Sequence, residues 1–133
     1  TGCQLEVGPQ STPFEHEPIS TTLEKCRRYT FVHKTGVSYA WSALSGYCNT
    51  TSNALSFYQY PVEMRTSPSI AVYGDWQVCD GHACYTITSM SASTMSPITA
   101  RIDVAASGLT VGRVAAVRNL GNASSKIVFD AEL

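Results

Sequence analysis

The feature that most constrains this chain is a succession of short segments in which apolar and polar residues alternate, each closed by turn-forming residues. Residues 28–33, 54–60 and 99–105 show the alternation clearly. A period of two places successive side chains on opposite faces of the backbone, as in a half-buried β-strand. The predicted strands are residues 28–33, 37–44, 54–60, 69–73, 76–79, 84–89, 99–105, 109–118 and 125–133, with 90–97 taken as a loop or weak strand.

Many short strands separated by turns, with no internal repeat, are typical of an antiparallel β-sandwich or jelly roll. The sequence therefore predicts an all-β fold with one short N-terminal helix. Ser20 is the expected cap of that helix, and Leu23 and Cys26 share one of its faces. Residues 1–19 are interpreted as an arm, with a strand at 3–7 and a proline-containing connector, and residues 20–133 as the β-sandwich domain.

Composition excludes several classes of partner. The 133 residues carry a net charge of −1, and basic residues form no run, so phosphate neutralisation cannot drive binding to nucleic acid. No apolar stretch approaches the ~20 residues needed to cross a bilayer, so membrane insertion is not expected. The chain begins with Thr1 and shows no signal-peptide pattern, which favours a C-terminal piece of a longer protein.

The five cysteines are too few for a disulfide scaffold at this length, and most are expected to be buried thiols. Cys79 and Cys84, on either side of a short loop, form the best disulfide candidate. The same loop contains His82, but a structural zinc site normally needs four ligands. A metal site is therefore the weaker interpretation, and no cofactor is expected.

No arrangement of residues indicates catalysis. The chain has no Gly-x-Ser-x-Gly elbow, and a Ser/His/Asp trio can arise by chance where serines are abundant. A carboxylate pair for glycoside hydrolysis, involving Asp75 or Asp80, is the one enzymatic alternative considered. Most of the acidic residues lie near the termini, so we expect a protein that is not an enzyme.

Four sequence blocks, in order, span nearly the whole chain. They are GCQLEVG followed by TPFE within residues 2–15, CRRY at 26–29, PVEMR at 61–65 followed by Pro68, and DAEL at 130–133. Together they resemble a pattern common in bacteriophage tail and fibre proteins. The resemblance implies a virion structural protein with a terminal β-sandwich, often homotrimeric, that contacts other virion proteins.

Within this resemblance, the N-terminal blocks suggest an assembly anchor. Leu5 alternates with polar neighbours as in an edge strand, and Pro13 and Phe14 form an extended segment whose ring is expected to dock in an apolar groove. The leading hypothesis is a tail-fibre or receptor-binding domain. The alternative is a capsid decoration or head-fibre protein attached to the shell through residues 1–18.

Two stretches, residues 36–51 and 76–85, match no part of the resembling pattern and are rich in aromatic residues. Aromatic rings stack on the C–H faces of sugars and bring a polar rim with them. We therefore predict that host-surface polysaccharide is contacted there, by residues exposed at the distal end of the assembly. For the two tryptophans, a place in the core or a subunit interface is the competing interpretation. The candidate contact residues are Tyr39, Trp41, Tyr47, Trp76 and His82.

Overall fold

The computed structural model describes residues 17–132, which form one helix and ten strands. The predicted strand at residues 3–7 and the predicted anchors Leu5, Pro13 and Phe14 lie outside the described residues. The elements are α1 (Ile19–Arg27), β1 (Thr30–Lys34), β2 (Trp41–Cys48), β3 (Asn53–Gln59), β4 (Ser69–Tyr73), β5 (Trp76–Cys79), β6 (Cys84–Thr86), β7 (Ser89–Met95), β8 (Thr99–Ala105), β9 (Val114–Asn119) and β10 (Lys126–Asp130).

The strands form two sheets in which every pairing is antiparallel. One has three strands in the order β1-β10-β4, and the other has seven in the order β6-β5-β9-β2-β3-β8-β7. The chain passes directly between the two edges of the larger sheet. The amide of Ile87 donates to the carbonyl of Trp76, and the amide of Thr88 donates to that of Ala105. The sheets are thereby curled into a half-barrel, and the predicted all-β sandwich class is confirmed.

The core lies between the sheets and is centred on Phe129, which is fully buried. Its ring stacks on Tyr58 at a centroid distance of 5.0 Å and meets the edge of Tyr60 at 5.1 Å. Alternate residues of β8, β9 and β10 are buried, as their sequence pattern predicts. Each buried Val, Ile or Phe among them contributes about 1.5–3 kcal/mol relative to exposure. The aliphatic part of the core includes Leu44, Met64, Val78, Ile102, Val104, Val117 and Ile127.

The main difference from the predicted strands is β7, a seven-residue strand where a loop or weak strand is predicted. Its backbone pairs with β8 from Ser89 to Met95. Most of its side chains are small, polar and exposed, so neither face imposes an alternating pattern. Its backbone hydrogen bonds to β8 and the packing of Met90 and Met95 against the core place it at the sheet edge, and such a strand leaves little signal in the sequence.

Gly46 is a second difference. The sequence reads Ser45-Gly46 as a turn, yet Gly46 pairs with Ser56 and Ala115 in the middle of the larger sheet. A Cβ at this position would lie 1.8 Å from the carbonyl oxygen of Leu55. Glycine is present here because two backbones approach closely.

The helix exists where predicted, but its predicted cap, Ser20, is wrong. It follows Pro18, makes no side-chain capping hydrogen bond, and has no buried residue. Both Leu23 and Cys26 are exposed. The helix found within residues 17–132 is not long and apolar enough to cross a membrane.

The cysteines are only partly as expected. Cys79 and Cys84 form the predicted disulfide across the β5–β6 hairpin. Cys48 fits the prediction of a buried thiol, and burial raises the pKa of that thiol. Cys26 does not fit it, because the helix that carries it lies on the surface. Cys3 lies outside the described residues.

Candidate functional site

The outer face of the seven-stranded sheet, which points away from the core, carries a row of side chains in register. Trp41 on β2 pairs with Arg118 on β9, and Arg118 pairs with Gln77 on β5. Gln77 in turn pairs with Thr86 on the edge strand β6. Because neighbouring strands lie ~4.8 Å apart, the row from Trp41 to Thr86 extends about 14 Å across the sheet.

At one end of this row, the Arg118 guanidinium lies against two aromatic rings. Its Cζ is 5.4 Å from the centroid of Tyr39 and 5.5 Å from that of Trp41, both within the range of cation–π attraction. Its Nε donates to Oε1 of Gln77 at 3.2 Å. We refer to Tyr39, Trp41, Gln77 and Arg118 as the aromatic–arginine cluster. Three separate contacts therefore fix the orientation of one guanidinium.

The loop that carries Tyr39 is held by the buried side chain of Asn119. The Asn119 amide nitrogen Nδ2 donates to Oγ1 of Thr35 at 2.7 Å and to the carbonyl of Val37 at 2.6 Å. The Asn119 backbone amide donates to the carbonyl of Ala40. One residue at the end of β9 thus fixes both ends of the loop at residues 35–40.

Tyr39 itself has a φ of +57°, in the left-handed region that residues other than glycine seldom adopt. This conformation costs about 1–2 kcal/mol and persists only where the surroundings enforce it. The preceding residue Ser38 donates its hydroxyl to the carbonyl of Gly121 at 2.9 Å, and the Tyr39 ring lies close above Gly121. The strained backbone directs the ring towards Arg118.

The cluster is open to solvent and carries an unneutralised positive charge. Tyr39 and Trp41 are 55% and 58% exposed. Within residues 17–132, the two ion pairs are Lys25–Glu17 and Arg101–Asp103, so no described carboxylate lies within ion-pairing distance of Arg118. Aromatic faces and unshared N–H donors are therefore presented together at the surface.

The five predicted contact residues do not form one site. Tyr39 and Trp41 lie together in the cluster. Tyr47 points to the same face but lies further along β2. Trp41 pairs with Arg118 and Tyr47 with Val114, four residues apart on β9, so the two aromatic residues are about 13 Å apart. His82 is exposed in the β5–β6 loop, at the end of the sheet where Tyr47 lies, because β5 runs from the level of Trp41 towards that of Tyr47.

Trp76 was wrongly predicted as a contact residue. It is only 3% exposed, and its indole Nε1 donates to the carbonyl of Tyr73 at 3.1 Å. As the first residue of β5 it faces inward, whereas Gln77, one position later, faces outward. Of the two tryptophans, Trp76 fits the competing interpretation of a core residue and Trp41 does not.

Sequence reasoning missed Arg118 and Gln77. Both lie in predicted strands, but nothing near them in sequence links them to Trp41, which is more than thirty positions away. Only the register of β2, β9 and β5 brings them together. The available signal was the alternation within β9, which already placed Arg118 on the face opposite to Val117.

Asp80, the acid in the disulfide loop, has a structural role. Its Oδ1 accepts hydrogen bonds from the amides of Ala83 and His82 at 3.0 Å, and its Oδ2 accepts one from the amide of Thr110 at 3.2 Å. These bonds hold the pKa of the carboxyl well below its usual range, and the bond from Ala83 has the largest effect. Its cysteine neighbours are joined to each other, and within residues 17–132 no three His, Cys, Asp or Glu side chains are grouped to hold a metal.

The opposite end of the same face is apolar. Tyr47 pairs with Val114, and Phe57 lies diagonally across from Tyr47 on β3. All three side chains are about half exposed or more, and we refer to them as the apolar patch. Beside Phe57, a groove of about 690 Å³ runs over Ala43, Thr99 and Arg101 towards β7.

Comparison with protein-family models, with curated proteins and with solved structures finds no match to this chain. The observations that bear on function are therefore the geometry of the protein's own surface and the four sequence blocks that resemble phage tail and fibre proteins.

Proposed function

We propose that this chain is a bacteriophage virion domain of the tail-fibre or receptor-binding type, and that its aromatic–arginine cluster binds host-surface glycans. The observation that carries the proposal is the pair of exposed rings, Tyr39 and Trp41, each within cation–π distance of one oriented guanidinium. The virion setting is supported by the four sequence blocks, and the all-β fold is of a kind that such proteins use.

The chemistry of the cluster suits a sugar. A pyranose offers an apolar C–H face and a rim of hydroxyl groups, and it is bound by a flat aromatic ring with polar groups at its edge. Trp41 supplies the ring, while Gln77 and Thr86 continue the row as amide and hydroxyl groups. A glycan of more than one unit could follow that row from β2 to β6.

The cluster is also preorganised, which favours binding to a flexible chain such as a polysaccharide. Ordering a loop or a side chain on binding costs about 0.5–1.5 kcal/mol for each side chain immobilised. Here Asn119 already fixes the loop that carries Tyr39, and Gln77 already fixes the Arg118 Nε. Little of that cost remains for a ligand to meet.

The proposed protein acts on the outside of the particle as a homotrimer in contact with other virion proteins. The apolar patch of Tyr47, Phe57 and Val114 is the surface that contact with a second copy would cover. Arg101 and Asp103 lie close by as an exposed charged pair that could border such a contact. On this proposal, one end of the sheet face serves assembly and the other serves recognition.

The proposal is tested by host adsorption. The purified domain should compete with phage particles for cells, and it should bind polysaccharide extracted from the same cells. Trp41→Ala should abolish both effects, while Tyr47→Ala, an aromatic change on the same strand, should leave glycan binding intact. A correctly folded domain that neither competes for adsorption nor binds any extracted glycan would refute the receptor-binding role.

A further inference from the structure

We propose that the glycan bound by the aromatic–arginine cluster is acidic, and that Arg118 binds a sugar carboxylate. This inference rests on the proposed glycan-binding function and names its substrate class. The evidence is the state of the Arg118 side chain, which is fixed by its neighbours yet is not neutralised by any described acid.

The Arg118 guanidinium has a fixed orientation, but only its Nε donates a hydrogen bond within the described residues. Its Nε is bonded to Gln77, and the two rings contact its faces, so its terminal nitrogens remain as donors. A guanidinium held in this way presents two parallel N–H groups, the geometry that matches a carboxylate with two hydrogen bonds. A neutral hydroxyl offers these donors a single uncharged acceptor atom, whereas a carboxylate offers two charged ones.

The surroundings contrast with those of the other arginine on the same face. Arg101 donates through its Nε to Oδ1 of Asp103 at 3.3 Å and is thereby neutralised. Asp75, which lies two residues before Gln77, makes no ion pair. No described acid pairs with Arg118, so its charge is free to attract an anionic group, and its place next to an exposed ring that can stack on a sugar favours an anionic sugar.

The position of the charge relative to the ring selects a carboxylated monosaccharide. The Arg118 Cζ lies 5.5 Å from the Trp41 ring, on a neighbouring strand. Because the guanidinium lies over one face of that ring, a sugar unit stacks on the other face, and its exocyclic carboxylate meets the terminal nitrogens of Arg118 past the edge of the ring. Uronic acids and sialic acids both carry such a group and share this chemistry.

Two matched pairs of probes separate these sources and test the inference. The first is trigalacturonate against its fully methyl-esterified form, and the second is 3′-sialyllactose against lactose. Binding is measured by calorimetry and by the change in tryptophan fluorescence. That change is assigned to Trp41 because Trp76 is buried. In at least one pair the acidic member should bind at least about tenfold more tightly, as expected for hydrogen bonds to a charged group. The pair that shows the preference identifies the source of the carboxylate.

Variants then assign the preference to one residue. Arg118→Gln should remove the preference for the acidic probe. Arg118→Lys should recover only part of that preference, because an ammonium lacks the two parallel N–H groups of a guanidinium. Arg101→Gln is the matched control, with the same change of charge on the same face, and should keep the preference. Thermal melting of each variant shows whether it is folded.

The outcomes separate the two proposals. Equal binding of acidic and neutral members in both pairs, or a preference that survives in folded Arg118→Gln, overturns the inference but leaves glycan binding standing. Absence of binding to all four probes and to extracted host polysaccharide removes both proposals together.

Discussion

The two ends of one sheet face differ in how their side chains are held. At the end with Trp41, aromatic rings are bound to a charged group, a strained loop and a buried amide. At the end with Tyr47, Phe57 and Val114, the exposed side chains are apolar and lie on neighbouring strands. The first arrangement fixes the orientation of its rings and N–H donors, as recognition of a small polar ligand requires. The second presents apolar surface that a partner can cover.

The comparison shows why exposed aromatic residues on one surface need not share a function. An aromatic ring beside unsatisfied donors can bind a ligand that is half apolar and half polar. A ring beside other apolar groups gains most by covering them with another apolar surface. We therefore assign recognition to the first region and assembly to the second, and the following changes test that division.

The largest effect is expected from Gly46→Ala, which affects the backbone beneath the apolar patch. The new Cβ would meet the carbonyl of Leu55, so β2 and β3 must move apart. We expect a loss of about 3 kcal/mol in the free energy of unfolding, measured by urea denaturation. Gly81→Ala is the control, because its Cβ would meet nothing within 4 Å and its cost, from a φ of +80°, should be only about 1 kcal/mol. Equal losses for the two variants would contradict the steric explanation.

Asp80→Asn is expected to destabilise the loop at the same end of the sheet and to alter its response to acid. Since backbone amides lower the pKa of Asp80 in the folded state, the stabilisation is present above the ordinary carboxyl pKa and is lost as pH falls below it. The wild-type melting temperature should fall between about pH 4 and pH 2, and this fall should be smaller in the variant. Asp75→Asn, with the same charge change at an exposed turn, should keep the wild-type profile. A variant whose acid response equals that of the wild type would show that Asp80 does not contribute it.

The fold was predictable from sequence where one face of a strand is buried. Residues 69–73, 76–79 and 99–105 were predicted with the bounds that the structure has, because burial imposes alternation. The edge strand β7 was predicted only as a loop or weak strand because most of its side chains are small, polar and exposed. Gly46 was misread as a turn because glycine also occurs where backbones approach closely, and one sequence does not separate the two causes.

The candidate site was only half predictable. Tyr39 and Trp41 stood out as aromatic residues in a segment outside the resembling pattern. Arg118 joined them only through a strand register set by long-range pairing. The same limit explains the error at Trp76, since a one-residue shift along β5 decides whether a side chain faces the core or the solvent.

Asn119→Ala should weaken the recognition end without changing any residue of the aromatic–arginine cluster. The variant loses the bonds to Thr35 and Val37 and leaves both acceptors without their partner. We expect a cost of about 2 kcal/mol in stability and at least a fivefold loss of glycan affinity, because the loop of Tyr39 must then be ordered on binding. Thr35→Val, which removes one of the two acceptors, should give a smaller change of the same sign. Unchanged affinity in folded Asn119→Ala would show that the loop needs no such support.

The smallest effect on stability, and the sharpest test of the division between regions, is expected from Phe57→Ser. Phe57 is about half exposed, so the isolated subunit should lose no more than about 1 kcal/mol. If the apolar patch is a contact between copies, light scattering after size exclusion should show a smaller species while the affinity of each subunit for glycan is retained. Trp41→Ser, at the other end of the face, should do the reverse, losing glycan and keeping the oligomer. Each variant removes one exposed aromatic ring from the same sheet, so opposite effects on glycan binding and on assembly would separate the roles of the two ends. Loss of both properties in either variant would mean that the two ends act as one surface, with glycan bound where subunits meet.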